Sequence, residues 1–308
     1  MATDLRVICA RIPGNELVAA ECANLTGGCP DAEGVASCQT LEHVWRAAYL
    51  RTGLRCLAEA ASLEALAEQV AALALDADRF RVEFLNLAQR PVRKSSAVLA
   101  MANAIPARPD LEAPQHRFMV VVQAHGIWFG EILVEAQRTY EAHDAKPYRT
   151  SASLPSRLAR ALVNLVVPPA RTLLDPFCGT GSLLLEAQAV GAEVFGVDWN
   201  IKMVGMSKRN LMHFGYTAQV ERLDALSATR TADAIVTDLP YGRLLEEMDW
   251  ANLPALLSHL RGLAPLAVYP AEQDLSDWLH DAGYARVQVY YVRKRPGMTR
   301  FVHFSQIA

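Results

Sequence analysis

The chain has 308 residues, 52% hydrophobic and 20% charged, a composition that supplies a sizeable core and excludes wholesale disorder. Its 30 basic and 33 acidic side chains leave a formal charge of −3, which argues against binding nucleic acid through bulk positive charge. At about 150 residues per domain, this length predicts two domains.

No apolar run reaches the ~18 residues of a membrane helix. The opening MATDLRVICARI carries Asp4 and Arg6 and does not read as a signal peptide, so the expected compartment is the cytoplasm. Six cysteines are present, and the spacing of Cys22, Cys29 and Cys38 matches no common zinc pattern. No metal site is expected, and Cys178 is read as a small space-filler.

In chain order, LRVICARI reads as a strand and NELVAAECANLTGG as a helix. Leu63, Leu66, Val70 and Leu73 share one helical face behind Ser62, a plausible N-cap. FRVEFLNL alternates as a strand does, and RFMVVVQAHGIWFGEILVE predicts a hairpin turning at 124–126. This is an α+β pattern. A polar stretch near His143 to Pro155 marks the boundary, followed by a helix over 156–167 with Leu158, Leu162, Leu165 and Val166 on one face. The expected divisions are a first domain over 1–145, a linker and leading helix over 146–170, and a second domain over 171–308.

From residue 171 strands and helices alternate regularly. RTLLDPFC, EVFGVD, AQVERLDA, ADAIVTDLP and LAVYPA are predicted strands separated by helical stretches. Alternating units of this kind imply a parallel sheet, hence an α/β domain. ARVQVYYVRK and TRFVHFSQ, joined through Arg295-Pro296-Gly297-Met298, predict a hairpin that adds antiparallel edge strands.

The strongest local signal is DPFCGTGS, Asp175 to Ser182, which ends a strand and opens a helix. Gly179 and Gly181, with Phe177 and Thr180 between and before them, let the backbone approach a ligand closely. The dinucleotide fingerprint fails, because its third glycine position holds Leu184. Asp198 ends the next strand, where a carboxylate can accept both hydroxyls of a ribose; Trp199 follows it as a cover for a base, or as core. Asp224 and the Ala225 amide are placed to meet an adenine, unless they merely begin a helix. The fourth strand ends in Asp238-Leu239-Pro240-Tyr241-Gly242. Four acidic strand ends suit S-adenosylmethionine, which carries a sulfonium, an ammonium, a ribose and an adenine but no phosphate.

Residues 171–308 resemble class I S-adenosylmethionine-dependent methyltransferases, and DLPYG resembles the [Asn/Asp/Ser]-Pro-Pro-aromatic signature of amino-methyltransferases, with Leu239 in place of the first proline. DPFCGTGSLLLEA and TDLPYG, preceded by KPYRTSASLPSRLARALVNL, resemble the tRNA guanine-N2 methyltransferases that carry a THUMP domain. RPDLEAPQHRFMVVVQAHGIWFGEIL is similar to the closing part of such a domain.

The resemblance implies a seven-stranded Rossmann-like methyltransferase sheet with an N-terminal α+β region, ferredoxin-like plus THUMP, that holds tRNA. It implies Asp238, Pro240 and Tyr241 as catalytic residues. Asp175, Phe177, Gly179, Thr180, Gly181, Asp198, Trp199, Asp224, Ala225 and Asp238 are implied to bind cofactor. The implied reaction methylates a guanosine N2 amine in tRNA, at position 10 first and position 6 next. The same tetrapeptide also serves an adenine N6 amine or a glutamine amide, and a non-catalytic RNA-binding THUMP protein is the reading from another class. No membrane and no obligate protein partner is expected.

Residues 1–150 hold 15 of the basic and 18 of the acidic side chains, leaving 15 of each beyond. An RNA-binding surface must therefore be local, with Arg79, Arg81, Arg90, Arg93 and Lys94 as candidates. The Arg293, Lys294, Arg295 and Arg300 cluster is either another backbone contact or merely solvated.

Overall fold

A computed structural model describes residues 4–151, 153–239, 253–295 and 297–308. The chain forms two compact units, one of Met1–Arg11, Leu25–Trp45 and Leu50–Ala136, the other of Ile12–Asn24, Arg46–Tyr49 and Gln137–Ala308.

The first unit is built on a six-stranded sheet. Its strands are β1 (Leu5–Cys9), β2 (Val35–Cys38), β3 (Leu50–Ala60), β4 (Phe80–Asn86), β5 (His116–Gln123) and β6 (Gly126–Glu135), in the order β2-β1-β3-β6-β5-β4. Only β4 and β5 pair in parallel. The predicted hairpin is β5–β6, closing on Gln123 opposite Gly126. Helices α2 (Leu63–Ala72) and α3 (Lys94–Ala104) bury Leu66, Val70, Ala97 and Met101 in a core with Phe80, Phe118 and Phe129. Ser62 does cap α2, accepting the Ala65 amide at 3.2 Å. Helix α1 (Leu17–Thr26) starts in the second unit and ends in the first.

The second unit holds α4 (Ser156–Asn164), β7 (Thr172–Asp175), α5 (Ser182–Ala189), β8 (Glu193–Asp198), α6 (Ile201–His213), β9 (Gln219–Arg222) and β10 (Ala234–Val236). After these come α7 (Leu253–Arg261), β11 (Leu266–Ala271), α8 (Ser276–Asp281), β12 (Arg286–Arg295) and β13 (Met298–Gln306). The sheet has seven strands, in the order β12-β13-β11-β10-β7-β8-β9. From β11 to β9 all neighbours are parallel, and β13 runs antiparallel to both β11 and β12. This is the Rossmann-like sheet expected of the sequence, with one correction. The terminal hairpin does not add two edge strands, because β13 inserts between β11 and β12 and only β12 is an edge. Tyr269, Val302 and His303, each 0% exposed, supply the apolar and hydrogen-bonded filling that makes β13 an inner strand.

Strand order reverses between β7 and β10: the chain steps outward through β8 and β9, then returns to the other side of β7. The chain thus leaves β7 and β10 toward opposite neighbours in the sheet, and the carboxyl ends of such a strand pair are the general ligand site of open α/β sheets. Below it, Leu174, Ile235, Ala267 and Tyr269 from the strands pack with Leu256, Leu257 and Leu260 of α7 and Leu279 of α8. The short β7 and β10 read as continuous apolar runs because strands buried on both faces need no polar alternation.

Candidate functional site

The loop between β7 and α5 is shaped by two residues in the left-handed region, Gly179 (φ +51°) and Gly181 (φ +81°). A Cβ on Gly181 would lie 2.5 Å from Ser207 Oγ on α6, so the position also requires glycine sterically. Leu184, where a dinucleotide fingerprint has its third glycine, is buried in α5. The room it needs comes from the neighbouring strand, since a Cβ on Gly196 of β8 would meet Leu184 Cδ1 at 2.6 Å. Close helix–strand packing is thus kept, with the small residue moved from helix to strand.

Three of the predicted carboxylates converge on this loop. Asp175, at the end of β7, is buried and accepts the Thr237 hydroxyl at 2.6 Å and the Phe177 amide at 3.1 Å, both on Oδ1. Burial raises its carboxyl to about 7, and the charges of Asp238 and Asp198 act in the same direction. Asp198 ends β8 and grips the loop, accepting the Gly179 amide on Oδ2 at 3.0 Å and the Asn200 amide on Oδ1 at 2.8 Å. Burial pushes its carboxyl up, against those two amides. Each oxygen keeps a lone pair for a further donor, such as a vicinal diol. Asp238 is half-buried two residues beyond β10, next to the buried Leu239.

The outer residues differ. Asp224 is exposed and accepts the Leu226 amide at 2.9 Å, capping a single 3-10 turn over Ala225–Ser227. It lies two residues past β9, and Ala225 is buried behind it. Trp199 is 61% exposed, which removes the core reading and leaves an indole face open beside the Asp198 strand end. Phe177 is half-buried and Thr180 buried. Cys178 lies under the loop with its thiol pushed well up by burial, as a space-filler and not a nucleophile. Pro240 and Tyr241 lie outside the described residues.

The structure adds residues that sequence patterning passed over. Thr237 is 0% exposed and joins the Asp175 and Asp238 strand ends. Asn210 of α6, also fully buried, donates to the Thr180 and Tyr148 carbonyls at 2.8 and 2.9 Å and accepts the Tyr148 amide at 2.9 Å. Ser153 Oγ meets Thr180 Oγ1 at 3.0 Å, and Lys146 Nζ donates to Ser182 Oγ at the start of α5. Burial, aided by the Arg149 charge, lowers the Lys146 ammonium to about 8. The segment from Lys146 to Ser153 is thereby strapped to the glycine loop at three points. KPYRTSAS was noticeable only through its family resemblance, because none of these bonds has a local periodicity.

The predicted basic patches are largely engaged elsewhere. Arg79 pairs with Asp110, Arg81 with Glu83, and Arg90 donates to the Gln123 carbonyl; Arg79, Arg93 and Lys94 are the exposed members of that set. At the terminal hairpin, Arg300 is buried and Lys294 pairs with Glu272.

Among the described residues, the carboxylates of Asp175, Asp198 and Asp238 lie at the strand ends, and the Lys146 ammonium is engaged by Ser182 at the start of α5. That donor set suits a cationic ligand with free hydroxyls and repels a phosphate. Comparison with known proteins agrees. Residues 143–259 match the family described as UPF0020: RMKL-like, methyltransferase domain. A tRNA (guanine(10)-N2)-dimethyltransferase of Pyrococcus abyssi is 32% identical over 175 residues, 53% of this chain and 53% of that protein. Its counterpart in Methanothermobacter thermautotrophicus is 45% identical over 101 residues, 32% of this chain and 30% of that one. The chain therefore spans about half or less of the length of these relatives. The crystal structure of TrmN from Thermus thermophilus shares the fold over 98% of this chain and 100% of that one, with a TM-score of 0.54 at 21% identity. Over residues 143–259, then, the chain is similar to the UPF0020 methyltransferase domain.

Proposed function

We propose that the protein methylates the exocyclic N2 amine of a guanosine in tRNA, using S-adenosylmethionine. The observation that carries this reading is the convergence of Asp175, Asp198 and Asp238 on the glycine loop at the switch point of the sheet. Asp198 would take the ribose hydroxyls, Asp224, Ala225 and Trp199 the adenine, and Asp175 with Phe177, Gly179, Thr180 and Gly181 the methionine end. When bound, the cofactor supplies an electrophilic methyl group.

The remaining chemistry falls to Asp238, Pro240 and Tyr241. A guanine N2 amine is a poor nucleophile, because its lone pair is delocalised into the ring. A carboxylate at Asp238 and the Pro240 carbonyl, accepting the two N–H bonds, localise that lone pair and aim it at the methyl group. Tyr241 stacks on the base, an interaction worth ~1–3 kcal/mol. A base paired in a stem must first be flipped out. Guanine N2 is favoured over adenine N6 by the activity named for both relatives above, and position 10 over position 6 for the same reason. In this reading the N-terminal domain, over 1–145, holds the tRNA through its 3′ end.

The test is incubation with unmodified tRNA transcript and methyl-labelled cofactor, followed by nucleoside analysis. Labelled N2-methylguanosine, lost when the guanosine at position 10 is replaced, is the expected result. Label in N6-methyladenosine, or none, refutes the proposal. Asp238→Ala should lower the transfer rate by ~10²-fold or more while cofactor affinity changes little.

A further inference from the structure

β7 and β10 pair through Leu173 with Ala234 and Leu174 with Ile235, and the backbone ladder ends there. One step further the two chains must part, because their crossovers run in opposite directions. At that point a side-chain bond replaces the ladder: Thr237 Oγ1 donates to Asp175 Oδ1 at 2.6 Å. Thr237 is 0% and Asp175 3% exposed, so the bond is shielded from water on both sides. Thr237 is held from its other side by β11, its amide donating to the Val268 carbonyl at 3.2 Å. The residue next in sequence is Asp238.

Resting on the reading above, we infer that Thr237 is a positioning residue, whose hydroxyl fixes the cofactor loop to the loop carrying Asp238 and orients the Asp175 carboxylate toward the cationic end of the cofactor. Both donors to Asp175, the Thr237 hydroxyl and the Phe177 amide, converge on Oδ1; among the described residues none bonds Oδ2, which in this reading is left for the ligand. One bond thus does two things. It sets the separation between the methyl donor and the amine acceptor, and it stabilises the charged form of a carboxylate that burial disfavours.

The titratable groups facing Asp175 among the described residues are Asp238, Asp198 and the Cys178 thiol, and only the Thr237 hydroxyl and Phe177 amide oppose them. With its carboxyl raised to about 7, Asp175 takes its charge near neutrality, so affinity for the cationic cofactor should rise with pH through that region. Removing the hydroxyl moves the rise to higher pH.

The experiment is equilibrium binding of S-adenosylmethionine from pH 5 to 9 by the full chain, by Thr237→Val and by Thr237→Ser, with methyl transfer measured alongside. Valine keeps the shape and removes the donor, whereas serine keeps the donor. Thr237→Val should bind about tenfold more weakly at pH 7, as expected for loss of one buried charge-assisted hydrogen bond, with its pH midpoint displaced upward. Thr237→Ser should restore the wild-type profile. A merely structural threonine would lower thermal stability and leave the midpoint where it is, and that result overturns the inference; so does a serine variant that behaves like valine. If Thr237→Val fails to fold, Thr237→Ala is read by the same criteria. Wild-type protein that binds no S-adenosylmethionine refutes the cofactor reading itself, and is distinct from wild-type binding that the valine variant matches.

Discussion

Asp175 is the residue in which function and stability conflict most openly. A buried carboxyl raised from 3.8 to about 7 keeps its proton in the folded state over a pH range where the unfolded chain has lost it. Between those values the folded state binds more protons, so this group makes the protein less stable as pH rises. Asp175→Asn removes the penalty while keeping an acceptor for Thr237. It should therefore stabilise the unliganded protein on the order of 2 kcal/mol at pH 8 and hardly at all below pH 4, read from thermal melts at the two pH values. Cofactor affinity should fall in the same variant. Equal melting shifts at both pH values would show that the carboxyl ionises normally.

At the scale of elements, the glycine loop is fixed by what leans on it from α6 and from the segment before α4. Asn210 makes three buried bonds, to both backbone groups of Tyr148 and to the Thr180 carbonyl. Asn210→Ala should cost about 2–4 kcal/mol in urea unfolding and release residues 146–153 to faster amide exchange, because buried backbone groups lose their partners. Helix α4 shows where sequence reading stopped. Leu158, Leu162, Leu165 and Val166 were legible as an apolar stripe, yet Arg160 and Asn164 are also 0% exposed. Arg160 is buried because Glu186 of α5 accepts its Nε at 2.9 Å and also meets His143 Nδ1 at 2.7 Å. Such a pairing joins residues distant in sequence, so no periodicity announces it. The strand–helix alternation, the acidic strand ends and the glycine loop were legible because each obeys a local rule. Thr237, Asn210 and Lys146 were not, since their roles arise only where strands and loops meet. The place of β13 inside the sheet escaped for the same reason: a hairpin specifies its own pairing but not which edge it joins.

At the scale of the molecule, the boundary near residue 145 is not where the second unit begins. Segments Ile12–Asn24 and Arg46–Tyr49 belong to it, and their contacts with α4 are specific. Glu21, 0% exposed, accepts the Ala48 and Tyr49 amides at 2.8 and 2.6 Å and the Asn164 side chain at 2.7 Å. Asn24 donates to the Asn164 and Pro168 carbonyls, and Arg160 to the Arg46 carbonyl at 3.0 Å. A fragment of residues 137–308 would expose one side of α4 and leave Arg160 and Asn164 short of acceptors. It should unfold at a markedly lower temperature than the full chain, or fail to fold, as measured by circular dichroism; a melt unchanged from the full chain would contradict this. A lowered melt would show that this unit needs the segments 12–24 and 46–49 that precede the boundary expected near residue 145.

The same early segment has one more effect, at the far side of the sheet. Asn15 bridges Val292, the Glu16 amide donates to the Tyr291 carbonyl at 3.0 Å, and the Arg293 amide to the Gly14 carbonyl at 2.8 Å. Glu16 also accepts the Tyr291 amide through its carboxylate at 2.9 Å. β12 spans ten residues, includes an exposed tyrosine, and would otherwise offer a long row of open backbone groups to any other strand it met. A few residues near Asn15 act as a selvedge on that border, covering the backbone of Tyr291 to Arg293 against self-association.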